Sequence, residues 1–285
     1  MPGAVLIHAD SLRDRDLFFS TGISVVDPFT YIEQDGRRIV VVSVLEVDAA
    51  RRDSPADDVW TTDEFDPIGL VRSGMSPDAV EMEVVRRALA RAGVSSVSVP
   101  PAFPLALADF LRASGVELRP DPELFVARRR AKDDQAVAGI RVAQRATEAA
   151  FATIREMIGA AGPGAGGLVF EGEPLTCERL RAAVEDTLRE HGCETDPPII
   201  AAGPQSALGH EPGSGPVRPG EPLVCDIFPR DRRSRLHADM TRTFCFGPAP
   251  DWLRQMHAAV LEALQRSTDV IAPGVRGRAV WEVAC

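Results

Sequence analysis

A run of charged residues at positions 127–134 divides the chain into two stretches with different patterns, and this break constrains the fold most. The run offers little apolar surface to a core, and its composition favours a solvated connector over a phosphate or RNA site. We therefore predict an N-terminal domain at 1–126, a linker at 127–134 and a second domain at 135–285. A chain of 285 residues is long enough to give both domains a core.

The first domain alternates predicted strands with predicted helices. A strand at 5–7 is followed by a hairpin, in which Asp35 and Gly36 separate two β-rich runs. Asp-Gly favours such a turn because both central positions need a positive φ. The next predicted elements are a helix, a strand and a helix, at 77–92, 94–99 and 104–114. This alternation indicates an α/β domain.

The second domain begins with a long predicted helix at 134–160, in which Phe151, Ile154 and Ile158 form an apolar stripe. The segment 162–167 matches G-x-G-x-x-G, but it follows a helix and opens none, so we do not interpret it as a dinucleotide site. Thr176 is predicted to cap the next helix. The later predicted elements are a helix at 177–191, strands at 198–202, 222–228 and 238–246, a helix from Asp251 with Leu253, Met256, Val260 and Leu264 on one side, and a helix from Val275.

Two aspartates lie in the predicted strands of the second domain. Asp226 shares one face of its apolar strand with Val224 and Phe228, because side chains alternate with a period of two. Asp239 begins the following strand, and the charged connection 229–235 is long enough for a hairpin. An antiparallel hairpin would bring the two carboxylates side by side.

Neighbouring carboxylates repel each other, so something must neutralise this pair. A shared proton, an arginine and a divalent cation are the three candidates. Arginine is abundant in this chain, and hard oxygen ligands suit Mn²⁺ or Mg²⁺. Spacing leaves these alternatives open.

His210 lies in a predicted loop just before the strand that carries Asp226. A loop histidine is usually a solvated residue, but this position makes it a candidate acid, base or hydrogen-bond donor to a substrate. His237 precedes Asp239 by two residues, and its role stays open. The histidines for which we predict no role are His8, His191 and His257.

Charge and cysteine usage exclude several classes of function. The net charge of −10 argues against nucleic acid and against anionic membrane surfaces. No apolar run approaches the ~18 residues that a membrane span needs, and the N-terminus lacks the pattern of a signal peptide. The odd number of cysteines, without a C-x-x-C pair, indicates reduced thiols, so we expect a cytoplasmic protein. Cys225 and Cys245 are predicted to be buried small hydrophobes.

Three segments of the second domain carry a family resemblance: Gly209-His210, residues 217–226 and residues 238–244. They resemble the aminopeptidase P/prolidase group of pita-bread metallopeptidases, in which an R-x-G-D-like turn leads into a strand with a metal-binding Asp and a second Asp precedes T-R-T-F. The first domain and its linker look like the creatinase-type N-terminal domain. The resemblance therefore implies an α/β N-terminal domain of the creatinase/prolidase type, followed by an incomplete α+β pita-bread catalytic domain.

The same resemblance implies roles for three residues. Asp226 would be a terminal metal ligand, Asp239 would bridge two metals, and His210 would contact the substrate and help to stabilise the tetrahedral intermediate. The implied cofactors are two divalent ions, with Mn favoured over Co or Zn, that lower the pKa of a bridging water; no organic cofactor is implied. The other family ligands, one His and two Glu, are expected beyond Cys285. Asp226 departs from the family pattern, because Ile227 follows it where a glycine is usual nearby.

The leading hypothesis is a metal-dependent peptidase that hydrolyses X–Pro bonds in short peptides, with the 285-residue chain inactive by itself. The alternatives are a creatinase-like hydrolase without metal, and an inactive binding module or fragment. A homodimer is expected only by analogy with the family.

Overall fold

The computed structural model describes residues 3–285, and the chain divides into two compact units at the Ala131–Lys132 bond. Within the first unit, the strands are β1 to β6: Ala4–Ala9, Phe29–Gln34, Arg37–Val42, Asp58–Thr61, Ser96–Val99 and Glu117–Pro120. Its helices are α1 to α6: Arg15–Thr21, Val47–Asp53, Pro67–Arg72, Pro77–Ala92, Leu105–Ala113 and Pro122–Arg130. The predicted α/β character of this unit follows from these elements.

The six strands form one sheet in the order β4-β3-β2-β1-β5-β6. Strand β2 is antiparallel to both neighbours, and the other described pairs of the sheet are parallel. The β2–β3 hairpin is confirmed, with Asp35 at φ 53° and Gly36 at φ 83° in its turn. Successive residues of a strand face opposite sides, so Ile39 and Val40 enter different clusters of core residues. The sheet is therefore covered by apolar contacts on both faces.

Local capping explains the boundaries of α4. The Ser76 side chain accepts a hydrogen bond from the Ala79 amide at 3.3 Å, Pro77 opens the helix, and Gly93 ends it at φ 73°. These are strong start and stop signals, and the helix predicted at 77–92 is confirmed.

The segment predicted as a linker is shorter in the structure. Helix α6 continues to Arg130, and Arg128 donates two hydrogen bonds to Glu33, at 2.9 and 2.8 Å. The Tyr31 hydroxyl also donates to Glu33, at 2.6 Å, and Arg129 pairs with Asp16. Charge alone predicted a solvated connector at 127–134, but these partners hold the basic residues on the first unit. Only residues 131–133 lie outside the flanking helices.

The second unit contains four described helices, α7 to α10: Asp134–Ala160, Cys177–Glu190, Asp251–Asp269 and Gly277–Ala284. Its described strands, β7 to β14, are Gly162–Pro163, Leu168–Phe170, Glu173–Pro174, Cys193–Glu194, Ile199–Ala202, Leu223–Ile227, Arg230–Asp231 and Met240–Phe244. They form sheets in the orders β7-β8-β9, β10-β13 and β11-β12-β14. The segment 162–167 opens no helix, as predicted.

Helices α7 and α8 pack on the sheet that contains β12. The predicted stripe of α7, including Ile154, joins one core cluster with Val184 of α8 and Cys225 of β12. Thr176 caps α8 by accepting a hydrogen bond from the Arg179 amide at 3.2 Å, as predicted. The buried side of β12 therefore belongs to the same apolar core as both helices.

Helices α9 and α10 differ in burial from the rest of the unit. Leu253 is buried, whereas the other members of the predicted apolar side, Met256, Val260 and Leu264, are 60 to 69% exposed. The helix predicted from the periodicity is confirmed, and most of its apolar side is exposed. In the part of the chain that the structure describes, no helix combines the length and apolarity needed to cross a membrane.

Candidate functional site

The site is built on the antiparallel pair β12 and β14. Their register places Asp226 opposite Thr241 and Cys225 opposite Arg242. Along β12 the buried residues Leu223, Cys225 and Ile227 alternate with partly exposed residues. Asp226 therefore lies on the face of the strand that is turned away from the core, as the period of two predicts.

Asp226 is oriented by its neighbour across the sheet. The Thr241 hydroxyl donates a hydrogen bond to Oδ1 of Asp226, at 2.6 Å. A short bond from a hydroxyl to a carboxylate is a charge-assisted contact, stronger than a bond between neutral groups. It occupies one lone pair of the carboxylate and leaves Oδ2 free of this contact.

Asp239 lies directly before β14 and is exposed. The ladder continues past the strand, because the Ala238 amide donates to the Pro229 carbonyl at 3.1 Å and Ala238 is buried. Alternation then places Asp239 on the same face as Thr241, diagonally across the strand pair from Asp226. Such diagonal neighbours lie ~7–8 Å apart, within the combined reach of two carboxylates for a common ligand.

Two of the five arginines in this hairpin have partners away from the acidic pair. Arg230 forms an ion pair with Glu194. Arg242 donates to the Thr241 carbonyl at 2.8 Å, and its guanidinium lies 5.9 Å from the centre of the Phe151 ring. These contacts account for Arg230 and Arg242 only, so an arginine, a shared proton and a cation all remain candidates for neutralising the acidic pair.

The donor set matches part of a site for a hard cation. Asp226 and Asp239 supply carboxylate oxygens on one accessible face, the ligand type that Mn²⁺ and Mg²⁺ prefer. Among residues 3–285, no group of three or more His, Cys, Asp or Glu is arranged to hold a metal ion. His237, whose role the sequence left open, is exposed and forms an isolated backbone bridge with Arg230.

His210 occupies the tip of the loop between β11 and β12. It is exposed and has φ 63°, the left-handed region that residues with a Cβ rarely adopt. The Glu211 amide donates to the Leu208 carbonyl at 3.3 Å, so His210 is the third residue of a tight turn. The structure brings Asp226 and Asp239 to one sheet face, and it places His210 on a separate loop of the same unit.

The structure gives the surroundings of His8 and of two cysteines. His8, for which no role is predicted, is buried, with Nδ1 2.9 Å from the Thr30 hydroxyl and Nε2 3.1 Å from Glu81. Cys225 is buried as predicted, and burial raises the pKa of its thiol. Cys245 was also predicted to be buried but is half-exposed, because it follows the last residue of β14.

Sequence reasoning missed the residues that support the site. The hydrogen bond from Thr241 could have been found, since Thr241 shares a face with Asp239 and stands opposite Asp226 in any hairpin of this register. Arg181 of α8 and Gln205, which hold the loop of His210, gave no local signal, because their partners lie 9 to 32 positions away.

Comparisons with known proteins give consistent matches. The sequence model of metallopeptidase family M24 matches residues 138–285. Among solved structures, an X-Pro aminopeptidase from Thermotoga maritima MSB8 superposes with a TM-score of 0.78 at 19% identity, covering 99% of this chain and 74% of that chain. A prolidase from Pyrococcus furiosus gives 0.73 at 18%, with 99% and 74% covered, and a Xaa-Pro dipeptidase from Bacillus anthracis gives 0.76 at 16%, with 99% and 71% covered. No curated protein sequence matches the chain significantly.

Proposed function

The chain belongs to metallopeptidase family M24, and on this premise we propose that its function is hydrolysis of X–Pro bonds in short peptides. The mixed α/β fold matches the pita-bread metallopeptidase structures, and the family implies a peptide substrate. The observation that carries the proposal is the pair of carboxylates on one face of β12 and β14. Preference for proline is inferred from the three solved structures, which are named for X-Pro, prolidase or Xaa-Pro activity.

Asp226 and Asp239 are the proposed metal-holding residues. Metallopeptidases of this family use divalent metals, and for these two carboxylates we favour Mn²⁺ over Co²⁺ or Zn²⁺. Bound there, such ions would activate water and polarise the carbonyl of the bond to be cut. Thr241 orients Asp226 through its hydroxyl, and Asp239 is exposed on the same face for a bridging role.

His210 is the proposed contact to the substrate. Its exposed imidazole stands at the tip of the loop and can donate a hydrogen bond to a peptide carbonyl as charge develops on the oxygen. This role requires the peptide to reach from the acidic face to the loop.

Further parts of the proposal concern the whole protein. We assign the first unit, Met1–Ala131, to the creatinase/prolidase type and the second unit, Lys132–Cys285, to the pita-bread catalytic domain. We also propose a cytoplasmic location and a homodimer.

One specific observation favours the alternative of an inactive binding module. Residues 3–285 offer two of these carboxylates and no group of three metal-binding side chains, too few donors to hold two cations tightly. We therefore expect purified residues 1–285 with Mn²⁺ to release no proline from Gly-Pro. Turnover that disappears in Asp239→Asn would contradict this expectation of inactivity while supporting the peptidase function.

Mn²⁺ binding tests the site itself. Free Mn²⁺ gives a six-line electron paramagnetic resonance signal that falls as the ion binds protein. We expect Asp226→Asn and Asp239→Asn to weaken Mn²⁺ binding about tenfold or more, because each removes a charged ligand. Asp186→Asn, at an exposed position of α8, is the matched control and should bind as the unaltered chain does. Equal Mn²⁺ affinity in all four proteins would refute the proposed site.

A further inference from the structure

The loop that carries His210 is closed by the side chain of Gln205. Oε1 of Gln205 accepts a hydrogen bond from the Ser214 amide at 2.7 Å, and Nε2 donates to the Ser214 carbonyl at 3.1 Å. The side-chain amide thus pairs with both backbone groups of one residue, as a neighbouring strand would. This pairing joins the two ends of residues 206–213 below the tip.

Arg181 of α8 fixes the same loop from the helix side. Its guanidinium donates to the Pro198 carbonyl at 3.0 Å, to the Gly213 carbonyl at 2.8 Å and to the Pro212 carbonyl. The Ile200 amide also donates to Pro212, at 3.1 Å. A Cβ on Gly213 would lie 2.0 Å from the Ile200 carbonyl oxygen, so the loop base lies directly against β11.

The tip is held by two backbone turn bonds, from the Leu208 amide to the Gln205 carbonyl at 3.0 Å and from the Glu211 amide to the Leu208 carbonyl at 3.3 Å. His210 is exposed, and its φ of 63° is a conformation that an unrestrained histidine rarely adopts. Ordering such a residue costs backbone and side-chain entropy, which the contacts at the loop base must offset. Gln205 and Arg181 therefore act where the loop would otherwise open.

We infer that Gln205 and Arg181 are positioning residues, which hold the loop so that the His210 imidazole meets a bound peptide in a fixed place. The inference rests on the proposed contact between His210 and the substrate. A loop that is already ordered loses little conformational entropy when the peptide binds, so the peptide binds more tightly.

The test measures binding of the dipeptide Ala-Pro by nuclear magnetic resonance of the histidine Cε1–H groups. The His210 resonance is identified by its loss in His210→Gln. Gln205→Leu removes the two bonds to the Ser214 backbone and a longer one to the Ser214 hydroxyl, at 3.4 Å, and Gln205→Glu keeps the acceptor for the Ser214 amide. Gln144→Leu is the matched control, since Gln144 makes one side-chain bond on the surface of α7. Thermal unfolding of each variant checks that the unit remains folded.

We expect Ala-Pro to shift the His210 resonance in the unaltered chain and in Gln144→Leu. In Gln205→Leu the dissociation constant should rise about tenfold if the loop adopts the binding conformation about a tenth as often, with an intermediate value in Gln205→Glu. Arg181→Met should weaken the same binding. Equal affinity in Gln205→Leu and Gln144→Leu would overturn the positioning role and leave the proposed function standing. No shift of His210 in the unaltered chain would instead refute the contact of His210 with substrate, and the inference with it.

Discussion

Thr241 is the residue that orients the partly exposed Asp226 carboxylate. Its hydroxyl donates to Oδ1 of Asp226 across the strand pair, at 2.6 Å. Hydrogen bonds to charged groups are worth ~1.5–3 kcal/mol, and the exposure of Thr241 lowers that value through competition with water. The bond therefore contributes more to the orientation of the Asp226 carboxylate than to the stability of the fold.

We predict that Thr241→Val weakens Mn²⁺ binding a few-fold while Thr241→Ser retains it. Valine has nearly the same shape but donates no hydrogen bond, so the Asp226 carboxylate loses its fixed orientation. The measurement is the same Mn²⁺ titration, with thermal unfolding as a check on the fold. If valine and serine bind Mn²⁺ alike, Thr241 does not orient the ligand.

Glu83 provides a pH-dependent contribution to the first unit. Arg86 donates two hydrogen bonds to it, at 2.7 and 2.6 Å, and Arg87 donates one at 2.9 Å. These bonds, with Arg86 contributing most, lower the pKa of Glu83 from 4.5 to about 2. Because the pKa is depressed in the folded state, the stabilisation is fully present above pH 4.5 and is lost as the pH falls towards 2.

Glu83→Gln should therefore lower the free energy of unfolding at pH 7 by about 1–2 kcal/mol, after allowance for solvent screening. The difference from the unaltered chain should shrink between pH 4.5 and 2. Urea unfolding followed by the fluorescence of buried Trp60 measures it. Glu262→Gln, in the exposed pair with Arg266, is the control and should change little. A difference that stays constant down to pH 2 would contradict the assignment.

At the scale of elements, α7 is fitted closely to the connection between β12 and β14. A Cβ on Gly139 would lie 2.1 Å from Oγ of Ser234, and Ser234 is itself bound to Asp231. Asp231 is buried and closes the turn that leads towards Asp239. Helix α7 therefore packs closely against the connection between β12 and β14, and Gly139 is the point of contact.

Gly139→Ala should destabilise the second unit by about 1–3 kcal/mol, because an added methyl group has no space there. Gly159→Ala on the same helix meets no atom within 4 Å and should stabilise by ~0.5–1 kcal/mol through helix propensity. Calorimetric unfolding of both variants measures the contrast. Equal effects of the two substitutions would show that α7 does not pack closely on the turn.

Elements with local signals could be predicted from sequence. The Asp35-Gly36 turn and the cap at Thr176 act within a few residues, and both are confirmed. The continuation of α6 to Arg130 depends on partners such as Glu33, nearly a hundred positions away. The charge of the segment alone therefore predicted the wrong start of the linker. The hydrogen bonds of Arg181 at the base of the His210 loop also span long separations, 17 to 32 positions. Local patterns thus predicted the strands of the site, while the contacts that support it required the fold.

At the scale of the molecule, the family match and the proposed site lie in the same unit. Residues 138–285 carry the match, and Asp226, Asp239 and His210 all fall within them. The structural matches extend over 99% of the chain and so include residues of both units. Chemistry is therefore proposed for the second unit alone.

The most direct test locates the cation. Mn²⁺ is paramagnetic and broadens the resonances of nuclei close to it, so two-dimensional amide spectra recorded with small amounts of Mn²⁺ identify where it binds. We predict selective broadening of the amides around Asp226, Asp239 and Thr241, which disappears in Asp239→Asn. Broadening centred on another acidic part of the chain, or unchanged in Asp239→Asn, would contradict a metal site on β12 and β14.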